Sequence, residues 1–257
     1  MKTVVCVKQV AALGDEVEID DSGRDVDHDY LESSLNEWDV FALEEALRLK
    51  ESLDGQDGHE VVVVTVGDEE CEQALRRCLA MGADRAIRVE AGGIDESDPL
   101  TTARRLAGII GREVPDLVLC GVQSSDAVQA ATGVMLAELA GLPRVAVVTS
   151  VHYDATSAKA QVHRELEGGL LDEVEVGMPA LLTIQTGINE PRYANLRAIK
   201  QANAKEIEVV NVPSEGPRAY TVRKMFVPEK GDGAEMLGSD AAVVAARIAE
   251  IVRARLS

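Results

Sequence analysis

The residues best placed to do chemistry lie in the run 116–143, DLVLCGVQSSDAVQAATGVMLAELAGLP. An acid and four apolar residues lead into Gly121, the polar run VQSSD follows, and an alanine-rich stretch ends near Gly141 and Pro143. This order predicts a strand, a loop, a helix N-terminus and a helix with a C-terminal stop. Asp126 stands where an N-cap belongs, with the hydroxyls of Ser124 and Ser125 beside it. Thr132 and Gly133 interrupt the helix farther in. A helix start offers free N–H groups and the positive end of a dipole, and a glycine ahead of it lets an anion approach the backbone. The chemistry expected is phosphate binding. The loop carries neither GxGxxG nor the P-loop pattern, so an ordinary strand-to-helix corner would read the same way.

The other reactive residue types point away from catalysis. Cys6, Cys71, Cys78 and Cys120 show no CxxC spacing, and Cys6 and Cys120 fall inside predicted buried strands. Structural thiols are expected rather than disulfides or a metal site. The four histidines, His28, His59, His152 and His163, are scattered, and no zinc-like constellation appears. No Ser/His/Asp or Cys/His grouping suggests a nucleophile. A formal net charge of −19 argues against nucleic acid as a partner and favours docking on basic protein surfaces. No apolar run approaches the length of a membrane span. The N-terminal run MKTVVCVKQV has no signal or transit pattern, so a cytoplasmic protein without direct membrane insertion is expected.

Several elements must position the 116–143 run. TVVCVKQV (3–10) reads as one strand buried on both faces of a parallel sheet. The acidic run 11–30 reads as a loop or small hairpin, and DGQDGH (54–59) as a surface loop. LNEWDVFALEEALRLKE (35–51) is an amphipathic helix with Asn36 as its N-cap. EVVVVTVG (60–67) is a strand, 71–82 a helix closed by Gly82, 86–90 a strand, 100–113 a helix and 116–121 a strand. This alternation predicts an α/β fold: a doubly wound, mostly parallel, Rossmann-like sheet with right-handed crossovers. Ligands of such sheets bind beyond the carboxyl ends of the strands, at a switch point. The Gly121–Thr132 loop and the Asn36 helix start both fall at such ends.

From 144 onward the pattern becomes antiparallel, with RVAVVTSVHY, KAQVHREL and EVEVGMPALLTIQ as strands and EGG (167–169) as a turn. The run 187–212 reads as a loop holding Pro191, a short helix and a strand. One α/β domain over 1–212 is expected, including a loop at 187–200. Residues 213–238 read as an extended arm, and 239–256 as an amphipathic helix capped by Ser239 or Asp240. The 213–257 unit is expected to dock on a partner subunit.

The runs GINEPRYANL and RELEGGLLDEVEVGMPALLT resemble the beta subunit of electron-transfer flavoproteins. The resemblance covers essentially the whole chain, through CVKQV, LNEWDVFALEEALRLKE, LRRCLAMGADRAI and DLVLCGVQSSD followed by ATG. The family signature is met by Arg164, Glu167, Gly168, Gly169, Pro179, Leu181, Leu182 and Thr183, while Asp172 stands where Glu or Gln is preferred. It implies that the sheet is of adenine-nucleotide-binding type, and a heterodimer with a larger alpha subunit that holds most FAD contacts. The beta subunit adds one wall near the flavin and buries an AMP with no catalytic role. The implied AMP pocket uses Cys6, Asn36, Glu37, Trp38, Asp39 and Val66, with Gly121, Gln123, Ser124, Ser125, Asp126, Gln129, Ala130, Ala131 and Thr132 from the loop. Backbone N–H groups would bind the phosphate, with no Lys or Arg there. Trp38 falls where the family places an aromatic near flavin or nucleotide; a helix-face core residue is the other reading.

A branch of the family bifurcates electrons and holds a second FAD in this pocket. Its loop reads DGDTAQVGP, and DAVQAATGV here lacks the glycine after the acid and the Gly-Pro ending, so AMP is preferred. The EPRYANL segment resembles the family's recognition loop. Glu190, Pro191, Arg192, Tyr193 and Leu196 would bind partner dehydrogenases, with Leu196 as an apolar anchor rather than an inward-packed core residue. Electrons from acyl-CoA-type dehydrogenases would then pass through FAD to a quinone oxidoreductase. The chain would be an electron carrier subunit rather than an enzyme. A stand-alone nucleotide-binding regulator of stress-protein type is the reading of another class, and it leaves EPRYANL unexplained.

Overall fold

The computed structural model describes residues 1–12, 17–27, 31–53, 58–91, 98–213, 216–228 and 233–256. Strands β1 (Lys2–Cys6), β4 (Glu60–Val66) and β6 (Leu117–Gly121) carry the near-continuous apolar runs of a sheet covered on both faces, and β5 (Arg85–Val89) interleaves Ala86, Ile87 and Val89 with two arginines. They pair in parallel, β5 with β4, β4 with β1 and β1 with β6. Successive residues point to opposite faces, so each strand feeds two cores. Val5, Val61 and Val63 pack beneath α1 (Glu37–Ser52) and α2 (Glu72–Met81). Val4, Val62 and Val64 pack beneath α3 (Pro99–Glu113) and α4 (Thr132–Ala140). Gly82 ends α2 with a φ of 134°, the stop expected of it.

The main sheet runs in the order β11-β5-β4-β1-β6-β10-β7-β8-β9. The antiparallel extension is β7 (Arg144–Asp154), β8 (Lys159–Leu166) and β9 (Leu170–Gly177). The run EVEVGMPALLTIQ is not one strand. It breaks before Pro179, which has no N–H to continue a ladder, and β10 (Ala180–Ile184) inserts in parallel between β6 and β7. Strand β11 (Glu208–Val210) pairs in parallel with β5, after the short helix α5 (Leu196–Ala202).

The predicted strand 3–10 also divides. After Cys6 the Lys8 N–H bonds Asp39 Oδ2 at 2.8 Å instead of a neighbouring strand, so the chain leaves the sheet. It re-forms as β2 (Gln9–Ala12), antiparallel to β3 (Glu32–Leu35) in a small second sheet. His28, residues 54–57 of the predicted surface loop and parts of the 11–30 run lie outside the described residues.

The described residues between β11 and α6 (Ala241–Leu256) form neither helix nor strand. Pro217 accepts a bond from Arg104 at 2.7 Å, Ala219 N–H donates to Asp98 at 3.2 Å, and Met225 N–H donates to Gly23 O at 2.8 Å. Asp240, not Ser239, caps α6, accepting from Ala242 and Val243 N–H at 2.9 and 3.1 Å. Helix α6 contains no buried residue. Among the described residues no helix is long and apolar enough to cross a membrane.

Candidate functional site

Strands β1 and β6 are neighbours at the centre of the sheet. The order runs one way from β1 through β4 and β5, and the other way from β6. That is a switch point, and a cleft opens there beyond their carboxyl ends. Cys6 and Gly121, at the ends of the two strands, line it.

Helix α1 closes one side. Asn36 sits at its N-cap position, but its side chain caps nothing. It crosses the cleft instead: Nδ2 donates to Gln123 O at 2.9 Å, and Oδ1 accepts from Ser125 N–H at 3.2 Å. Asp39 is buried below it and accepts from Lys8 N–H at 2.8 Å and Gly121 N–H at 2.9 Å. One carboxylate thus ties the ends of both strands to the helix. Burial pushes Asp39 up to about 7, against the pull of these N–H donors. Burial, and then the nearby Asp39, push the Cys6 thiol up to about 12, so Cys6 is an inert structural thiol. The Cys120 thiol is raised too, by burial first and then by the neighbouring Cys6 and Asp39.

The loop from 122 to 131 departs from expectation. Helix α4 begins at Thr132, not at Asp126, and Thr132 and Gly133 open the helix rather than interrupt it. Val128 and Ala130 each have a φ of 50°, a left-handed conformation that keeps the preceding run from joining the helix. Asp126 pairs with Lys8 Nζ at 2.6 Å. Burial would raise its carboxyl, but the Lys8 ammonium holds it below its usual value. Ala131 occupies the N-cap position of α4 and supplies no capping oxygen.

The glycines have packing roles. A Cβ on Gly121 would lie 2.5 Å from Trp38 Cβ and 2.6 Å from Asp39 Oδ1, so its absence lets α1 sit against β6. A Cβ on Gly133 would lie 2.5 Å from Cys120 Sγ and 2.9 Å from Thr183 Cγ2, so α4 starts hard against the sheet.

Of the predicted nucleotide residues, Cys6, Asn36, Asp39, Val66, Gly121, Gln123, Ser124, Gln129, Ala130, Ala131 and Thr132 line the cleft together. Glu37, Trp38, Ser125 and Asp126 do not. Glu37 is exposed. Trp38 is half-buried and donates Nε1–H to Gln185 Oε1 at 3.0 Å. Ser125 contributes only its backbone N–H to Asn36, and Asp126 is taken by Lys8.

Two parts of the lining were missed. Lys8 stands in the cleft, against the expectation of no Lys or Arg there. Its signal was the single charge interrupting the apolar run VVCVKQV. Pro99, Thr102 and Leu106 of α3 supply a wall. Nothing local marks them; only the topology brings α3 alongside α4.

The lining fits an adenine nucleotide. Ala127, Ala130, Ala131 and Gly133 leave the backbone accessible, and the first turn of α4 has N–H groups with no side-chain cap. Lys8 brings an ammonium to the cleft, already paired there with Asp126, while Val66, Leu106 and Leu136 give an apolar wall for a planar base.

A second candidate site is wholly on the surface. Tyr193 and Leu196 are 96% and 86% exposed, so Leu196 does not pack inward. The segment before them is fastened to α1. Arg192 pairs with Glu44 and Glu51, Asn189 Nδ2 donates to Phe41 O and Glu45 at 3.0 Å, and Arg48 donates to Glu190 O at 3.3 Å. Glu190 is exposed and Pro191 half-buried. Among the described residues, no group of three or more His, Cys, Asp or Glu could hold a metal ion.

Comparison with known proteins gives one answer. An electron transfer flavoprotein domain matches residues 25–215. The chain is 47% identical to the electron transfer flavoprotein subunit beta of Methylophilus methylotrophus, over 98% of each chain. It is 37% identical to the mitochondrial subunit beta of Arabidopsis thaliana over 82% of each chain. It is 35% identical to the subunit beta of Mus musculus over 82% of this chain and 81% of that one.

Proposed function

The chain belongs to the electron transfer flavoprotein family as a beta subunit, and from that premise we propose that it forms one half of a soluble electron carrier. An alpha subunit completes the heterodimer and supplies most contacts to one FAD. Donors are flavin dehydrogenases of the acyl-CoA type, and the acceptor is a quinone oxidoreductase. The bound flavin supplies the redox chemistry, and this chain breaks and makes no bonds.

The observation that carries the reading is the exposed Tyr193–Leu196 knuckle on a segment fastened to α1. A carrier that serves several donors and leaves quickly needs a small outward anchor and a modest interface. Leu196 fills that role, entering an apolar pocket of the dehydrogenase, with Tyr193 beside it.

The cleft between β1 and β6 holds AMP in a structural role. The uncapped N–H groups of α4 and the Lys8 ammonium take the phosphate, and the Asn36 bridge keeps the 122–131 loop in place. The arm and α6, none of whose described residues is buried, dock on the alpha subunit.

The test is a count of nucleotides released on denaturing the purified heterodimer. One FAD and one AMP per heterodimer is the expected result. Two FAD and no AMP would replace this reading with the electron-bifurcating one. A chain that purifies alone and binds adenylate without flavin would replace it with the stand-alone regulator.

A further inference from the structure

Four side chains of α1, Glu44, Glu45, Arg48 and Glu51, follow one face of the helix at the spacing of successive turns. All four contact the segment 189–192. Arg192 is the centre of the arrangement. Its Nε and Nη2 reach the two Glu44 oxygens at 2.9 and 3.0 Å, and its Nη1 and Nη2 reach the two Glu51 oxygens at 2.5 and 3.1 Å. Its backbone N–H also donates to Glu44 Oε2 at 3.1 Å. One guanidinium therefore forks two carboxylates at once.

This is not an ordinary surface ion pair. The Glu44 side chain is only 3% exposed, so it needs a fixed cation, and Arg48 offers it only a single contact at 3.2 Å. Burial alone would raise the Glu44 carboxyl, yet Arg192 holds it below its usual value. On the far side of the knuckle, Asn195 caps α5 by accepting Ala198 N–H at 2.9 Å, which sets Leu196 in the first turn of that helix. Tyr193 and Leu196 are therefore bracketed by a clamp before them and a cap after them.

We propose that the Glu44–Arg192–Glu51 clamp is a positioning device that presets the Tyr193–Leu196 knuckle for docking. This rests on the docking reading given above. A short apolar anchor has little contact area, so ordering the segment during binding would consume much of what the contact gains; ordering it beforehand does not. Arg192 itself touches no reacting atom, and its role is to hold the anchor out.

The test uses the heterodimer, with an acyl-CoA dehydrogenase and its substrate as electron donor. In Arg192→Gln, amide exchange in the peptide covering 189–196 should speed up by about tenfold. The KM for the heterodimer as acceptor should rise about fivefold with kcat and flavin content unchanged. Glu51→Gln removes only the more exposed partner and should move both readouts the same way by less, which keeps the test usable if Arg192→Gln folds poorly. Arg192→Lys keeps the charge without the fork and should restore the KM only in part.

Leu196→Ala separates this inference from the reading beneath it. A raised KM in Leu196→Ala with no change in KM or exchange in either clamp variant would overturn the clamp and leave the docking reading standing. An unchanged KM in Leu196→Ala would overturn the docking reading and the clamp with it. Loss of flavin or of kcat in both clamp variants, with the KM unmoved, would mark the cluster as structural and overturn the proposal.

Discussion

The two ends of α1 serve different sites, and they are built from different interactions. At the N-terminal end, Asn36 and Asp39 face the cleft, bond each other, and hold backbone groups at 2.8 to 3.2 Å, all but fully buried. From the midpoint of α1 to its last turn, Glu44 and Glu51 hold Arg192, whose side chain is one-third exposed. At the inner end Asp39 fixes the chain at both strand ends, and Asn36 fixes the loop that follows β6. The outer end fixes a surface segment, and its loss leaves the sheet intact. Damage at the inner end should therefore cost fold and nucleotide together, and damage at the outer end should cost docking alone.

The largest effect expected is at Gly121. In Gly121→Ala the new Cβ would fall within 2.5 to 2.9 Å of Trp38 and Asp39, including Trp38 backbone. Overpacking of this kind costs about 1–3 kcal/mol. Thermal melting should show a drop of several degrees, with bound AMP lost. A variant that melts normally and keeps its AMP would break the claim that α1 and β6 cannot separate.

Asn36→Leu should come next. It removes both bonds that hold the loop, at a cost of about 2 kcal/mol for two stranded backbone groups. AMP affinity measured by calorimetry should fall more than tenfold, while the KM for the dehydrogenase stays unchanged. A change in that KM would mean the two ends of α1 are not independent.

Leu196→Ala is the matching test at the outer end. It should raise the KM for the dehydrogenase about tenfold, as loss of an anchor does. Flavin content and melting temperature should not change, because Leu196 is 86% exposed. Lost flavin would place Leu196 in the fold instead.

The smallest effect concerns pH. Asp39 goes from its ordinary 3.8 up to about 7 in the folded chain, chiefly through burial. Between those values the folded state holds a proton that the unfolded state has released, so this group's contribution to stability falls as pH rises across that window and levels off above about 7. Its charge above 7 also opposes a bound phosphate, so AMP should bind more weakly at pH 8 than at pH 6. Asp39→Asn should flatten that dependence; an identical slope in the variant would remove Asp39 from the account.

The sheet was legible because its central strands are apolar runs and its helices are periodic, and both are local signals. The misses were places where a distant partner overrules a local pattern. The strand from residue 3 ends at Cys6 because Asp39 captures the Lys8 N–H. Asn36 obeys the cap rule in position but spends its side chain on Gln123 and Ser125. Asp126 looked like a cap because acid, serines and an alanine-rich run were adjacent, yet it pairs with Lys8 and the helix starts six residues later. The 189–196 segment is singled out only by family resemblance. No periodicity says that Leu196 points outward, since that depends on Arg192 meeting Glu44 and Glu51 from another element.

Reduction of the bound flavin shows whether this chain is half of a flavin carrier. The heterodimer should be mixed under anaerobic conditions with catalytic acyl-CoA dehydrogenase and excess acyl-CoA. The expected result is a yellow complex whose FAD bleaches with saturable dependence on heterodimer concentration, and whose colour returns on adding a quinone oxidoreductase and quinone. A complex that carries no flavin, or one whose flavin is untouched by the dehydrogenase and reduced instead by NADH, would contradict it.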